Sequence, residues 1–151
     1  MKEILGLDFD GVIRKWPGFI EWYADFLQPN DILQRTRLGI LEKIFNKLFL
    51  DHTPVILDGR LLKSASTWEG PIQIITGRCR PDQVQTVLDI RKYLKVSKIH
   101  FRVNPLENEE VYKYRTIKRE HIEYFIEDRG YVVKYLKRRG IKAFKIQEVR
   151  D

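Results

Sequence analysis

Two carboxylates one residue apart, Asp8 and Asp10, follow the apolar run Ile4-Leu5-Gly6-Leu7, and Gly11 comes directly after them. An apolar strand ending this way delivers an acid pair to the edge of a sheet. Two other apolar runs also end in polar chemistry: Ile72 to Ile75 leads into Thr76-Gly77-Arg78, and Ile122 to Ile126 leads into Glu127-Asp128. Open α/β sheets bind ligands beyond the carboxyl ends of their strands, so the three tips are expected to face one site. Carboxylates gathered there repel one another and cost several kcal/mol to bury together unless a cation lies between them. Magnesium suits such hard oxygens, because it binds through one or two carboxylates, keeps waters and accepts a phosphate oxygen.

The elements that must position these tips alternate between strand and helix patterns, which predicts a parallel α/β sheet. Strands are expected at Glu3–Asp8, Ile72–Ile75, Lys98–Val103, Ile122–Ile126 and Lys142–Phe144, each short and apolar. Arg80-Pro81-Asp82 opens a helix whose apolar face is Val84, Val87, Leu88, Ile90 and Leu94. Val132, Val133 and Leu136 mark a later helix that stops at Gly140.

The stretch from Arg14 to Pro71 departs from this rhythm. Phe19, Ile20, Tyr23, Phe26 and Leu27 recur at helical spacing, and Asn30-Asp31 with Gln34 caps a second helix carrying Leu41, Ile44, Phe45, Leu48 and Phe49. A third helix is expected after Asp58. One crossover helix is enough to join parallel strands, so residues 14–71 read as a small helical cap inserted into a core of residues 1–13 and 72–151.

The chain of 151 residues is long enough for one independent core. It has no apolar run near the ~20 residues of a membrane span. Met1-Lys2-Glu3 leads directly into the first strand without a signal-peptide pattern, and Cys79 is the only cysteine, so a cytoplasmic protein without disulfides is expected. A net charge of +7 favours anionic partners, whether phosphate esters, nucleotides or nucleic acid.

Asp8-Phe9-Asp10-Gly11-Val12, Ile74-Ile75-Thr76-Gly77-Arg78, a lysine after a helical stretch, and Phe125-Ile126-Glu127-Asp128 resemble, in order, the four motifs of the haloacid dehalogenase superfamily. The resemblance implies a three-layer, Rossmann-like parallel core with a small cap. It also implies a magnesium-dependent phosphomonoester hydrolase acting through an aspartyl-phosphate on a small phosphorylated metabolite or nucleotide. Asp8 would be the nucleophile, and Asp10 the acid and base that also offers its carbonyl to the metal. Asp8, Asp10 and Asp128 would hold magnesium, with Glu127 in an outer position. Gly11, Thr76, Gly77 and Arg78 would bind the substrate phosphate. For the lysine the chain offers Lys113 and Lys118; Lys118 is expected, because Thr116-Ile117-Lys118 closely precedes Ile122–Asp128, as in deoxyribonucleotidase-like members.

Other chemistries fit poorly. Cys79 has no arginine six positions later, the Gly-rich nucleotide loops are absent, and His52, His100 and His121 lack metal-ligand spacing. Trp16, Trp22 and Trp68 are expected to pack the cap on the core, and Arg78 and Arg80 could reach a phosphate or a carboxylate. Two alternatives stay open: a phosphatase of nucleic-acid ends, suggested by the basic balance, and a non-catalytic phosphate- or nucleic-acid-binding module on the same fold.

Overall fold

The computed structural model describes residues 2–9, 12–13, 57–79, 87–104 and 106–150. Their elements run β1 (Leu5–Leu7), α1 (Gly59–Ser66), β2 (Ile72–Cys79), a 3-10 turn (Asp89–Lys92), β3 (Lys98–Arg102), α2 (Glu109–Glu120), β4 (Tyr124–Glu127), α3 (Gly130–Arg138), β5 (Lys142–Lys145) and α4 (Ile146–Arg150). The strands form one parallel sheet in the order β3-β2-β1-β4-β5. All five expected strands are present, and β2 runs on through Thr76, Gly77 and Arg78, which were expected to follow the strand.

Side-chain alternation divides the core between the two faces of the sheet. Leu5, Leu7, Ile72, Ile74 and Ile126 pack on one face with Leu61 and Ala65 of α1 and with Ile90. Ile75, Phe125 and Ala143 pack on the other with Tyr112 and Ile117 of α2 and Val132, Val133 and Leu136 of α3. The result is an α/β fold with helices on both faces.

Capping sets where the helices begin and end. The Asp58 carboxylate accepts hydrogen bonds from the amides of Arg60 and Leu61 at 3.1 and 3.2 Å and so starts α1, the helix expected after that residue. After α3 the chain turns at Gly140 with φ +80°, and the Gly140 and Ile141 amides bond back to Lys137 and Leu136.

Of the residues expected to form a cap, 57–71 are described, and their helix meets the core. Leu61 and Ala65 of α1 share a cluster with Leu5, Leu7 and Ile72 of the sheet. Residues 14–56, with the other two expected cap helices, and residues 80–86, with the Pro81 helix start, lie outside the described residues. No helix among the described residues is long and apolar enough to cross a membrane.

Candidate functional site

Between β1 and β4 the winding of the sheet reverses. The chain steps outward from β1 to β2 and β3, then returns to the other side of β1 for β4 and β5. A crevice opens beyond the strand ends at such a switch point. Leu7 pairs with Ile126, and the Asp8 amide donates to the Ile126 carbonyl at 3.0 Å, which sets Asp8 beside Glu127.

The Asp8 carboxylate is buried, and its Oδ1 accepts from its neighbour Phe9 N at 2.9 Å and lies 3.2 Å from Lys113 Nζ. Lys113 reaches this position from the middle of α2, fully buried, with its ammonium also 2.6 Å from Glu109 Oε1 and 2.5 Å from Glu127 Oε2. Glu127 uses its second oxygen, Oε1, to accept from the amides of Asp128 and Arg129 at 3.0 and 3.3 Å. It therefore clamps the lysine with one oxygen and the turn carrying Asp128 with the other.

Carboxylate oxygens of Asp8, Glu127 and Asp128 lie within 4.8 Å of one another. Three hard oxygens this close form a donor set suited to a small dication. With Glu127 engaged at both oxygens, Asp8 and Asp128 are the members best placed to offer ligands. Burial, and then the Glu127 charge, hold the carboxyls of Asp8 and Asp128 well above the ordinary range, although Lys113 pulls both down. Burial would raise Glu127 too, but the Lys113 charge together with side-chain hydrogen bonds from Asp128 and Asp8 holds Glu127 low. Burial opposes the Lys113 ammonium, yet Asp8, Glu109 and Glu127 together raise its pKa well above that of a free lysine.

Thr76 is fully buried near the end of β2, with Gly77 directly after it. A Cβ on Gly77 would stand 2.6 Å from Glu109 Oε1 and 2.7 Å from its Cδ, so the missing side chain lets the Glu109 carboxylate lie against this strand end. Glu109 also accepts from Arg129 Nη1 at 2.9 Å and thereby joins the second and fourth tips. Asp10 and Gly11, and the side chain of Arg78, lie outside the described residues.

The lysine expectation is corrected. Lys118 is exposed near the end of α2, whereas Lys113, more than one turn earlier, enters the site. The strand ends and Glu109 surround Lys113, while Lys118 falls on the solvent side of the helix. Glu109 and Arg129 were not among the candidates; the i,i+4 spacing of Glu109 and Lys113 was the available signal. Comparison of the chain with protein-family models, with curated proteins and with solved structures finds no match.

Proposed function

We propose that this protein is a magnesium-dependent phosphomonoester hydrolase in which Asp8 is the nucleophile. One observation carries the reading: the buried Asp8 carboxylate shares a cluster with Asp128 and faces the Lys113 ammonium at 3.2 Å. An acid surrounded by acids, with one fixed cation beside it, is suited to a reaction that brings a dianionic phosphoryl group into contact with a carboxylate. A haloacid dehalogenase-like core is the matching proposal for the fold.

The donor set fits magnesium, which Asp8 and Asp128 would hold, together with Asp10 if it takes the role the resemblance implies. When bound, the ion offsets the charge of phosphate and carboxylates as they meet. Lys113 neutralises Asp8 and the phosphoryl oxygens, while Glu127 and Glu109 fix the ammonium in place. An Asp8 oxygen attacks phosphorus, the ester P–O bond breaks, and the leaving alcohol takes a proton from Asp10. Water then gives that proton back to Asp10 as it cleaves the acyl phosphate, restoring Asp8 and releasing inorganic phosphate. Thr76 and the Gly77 amide are the proposed phosphate-binding groups. A small phosphorylated metabolite or nucleotide is the proposed substrate class.

The test is phosphate release from a panel of nucleotides, sugar phosphates and terminally phosphorylated oligonucleotides, with magnesium or with chelator. Turnover that needs magnesium and vanishes in Asp8→Asn supports the reading. A folded protein inactive on the whole panel, or an Asp8→Asn variant as active as the parent, would sink it.

A further inference from the structure

The outer face of α2 and α3 carries cations that the proposed chemistry does not use. Arg115, Lys118 and Arg119 are exposed on α2; Lys134, Lys137 and Arg138 are exposed on α3; Arg139 and Lys142 are exposed just after it. Arg115 pairs with Glu107, and Arg119 with Glu120. Among the described residues no acid pairs with Lys118, Lys134, Lys137, Arg138 or Lys142, so α2, α3 and the start of β5 expose five cations without an acidic partner.

The two helices that carry most of these cations are tied to each other. Tyr114 of α2 meets Tyr135 of α3 edge-on at 6.3 Å, and the Arg139 guanidinium lies over both rings, 3.5 Å from the Tyr135 centroid and 5.9 Å from that of Tyr114. This stack fixes the helices side by side. Lys118 stands one turn beyond Tyr114 and Arg138 one turn beyond Tyr135, so these two border a common seam, and Lys134 lies one turn before Arg138 on the exposed face of α3. Lys118 also lines a groove with His121, Glu123, Gly140 and Lys142.

We infer that this seam and groove bind nucleic acid through its sugar-phosphate backbone. Rows of cations on rigid helices match a polyanion of regular charge spacing, and the 12 residues of α2 extend about 18 Å, enough for several phosphates at ~3.4 Å per strand. A lipid surface fits less well, because interfacial helices insert large apolar side chains. The large apolar side chains exposed among the described residues are Tyr93, Val103, Leu106, Phe144 and Val149, and none is on α2 or α3. Lys118, first read as catalytic, takes its role here.

The inference is independent of Asp8 chemistry and is tested by binding. Fluorescence anisotropy with a labelled single-stranded oligonucleotide measures affinity between 50 and 200 mM salt. Each neutralised phosphate adds ~0.7 to the logarithmic salt slope, so five contacts predict a loss on the order of 100-fold over that range. Lys134→Glu with Lys137→Glu and Arg138→Glu weakens binding by ten-fold or more and flattens the slope by about 2. The corresponding triple glutamine variant, gentler on the last turn of α3, gives a smaller change of the same sign. Thermal melts confirm that both variants fold, and Asp8→Asn binds like the parent. Binding that is absent, insensitive to salt, or unmoved by both triple variants would overturn the inference. So would equally tight, equally variant-sensitive binding to mixed phosphatidylcholine and phosphatidylserine vesicles.

Discussion

Lys113 Nζ and Glu127 Oε2 meet at 2.5 Å with both side chains fully buried, which makes the α2 lysine and the last residue of β4 a single unit. The same ammonium also faces Asp8 and Glu109. Removing it strands several acids at the end of the sheet, and an uncompensated buried charge typically costs about 3–5 kcal/mol. Lys113→Met is therefore expected to lower the urea midpoint by that equivalent and to abolish phosphate release. Lys118→Met, at an exposed position, should stay within about 0.5 kcal/mol of the parent and keep its turnover of small esters. Paired denaturation curves and turnover assays check both, and equal damage from the two variants would refute the assignment of Lys113.

Glu109 acts through its neighbours. It accepts from Lys113 and Arg129 and lies against Gly77, so it sets the lysine's position relative to Asp8. Glu109→Gln keeps the shape and loses the charge, and supporting residues of this kind typically contribute about 10–100-fold to activity. The loss should fall on kcat more than on KM. Gly77→Ala presses a methyl group into the same carboxylate and should do comparable damage. Since both changes displace one group, the double variant is expected to be clearly less than additive. Full additivity in kcat would separate Glu109 from the Gly77 turn.

The strands were legible because buried parallel strands are short apolar runs, as in Ile72–Ile75, and the Gly140 stop was legible because only glycine takes φ +80° without strain. Helix α2 was harder to read. Its buried side includes Glu110, Lys113 and Thr116, so the helix that carries the site's cation lacks a clean apolar stripe. Sequence distance to the fourth motif favoured Lys118, but helical phase decides which lysine faces the strand ends. Helix α1 misled in the opposite way. Leu61 and Ala65 announce an apolar face without saying whether it meets a cap or the sheet, and the cluster they share with Leu5 and Ile72 exists only once β1 and β2 are paired.

His100 gives the fold a mild sensitivity to acid. Its Nε2 lies 2.8 Å from Gln73 Oε1, a contact between neighbouring strands, and partial burial lowers its pKa below the ordinary value. The unfolded chain, with a histidine pKa near ~6.5, thus binds more protons than the native state just below that pH. Stability from this group is complete above the unfolded value and declines as pH falls through the lower native one. His100→Gln should make the drop in urea midpoint as pH falls below about 6.5 shallower than in the parent. An unchanged acid slope would show that His100 does not contribute.

Magnesium should stabilise the fold before any substrate is present. Asp8 and Asp128 sit in one buried cluster with raised pKa values, so a cation that satisfies them favours the native state over the unfolded chain. Ligand at 100 times its dissociation constant adds about 2.7 kcal/mol of stability, enough to raise the melting temperature by several degrees in a domain of this size. Asp128→Asn should weaken the response, because it removes a ligand charge while leaving the Glu127 clamp on Lys113 intact. Thermal melts with magnesium, with calcium and with chelator read this without reference to turnover. A parent that melts at the same temperature in all three would remove the dication from the proposed site and leave Lys113 as the cluster's counter-charge.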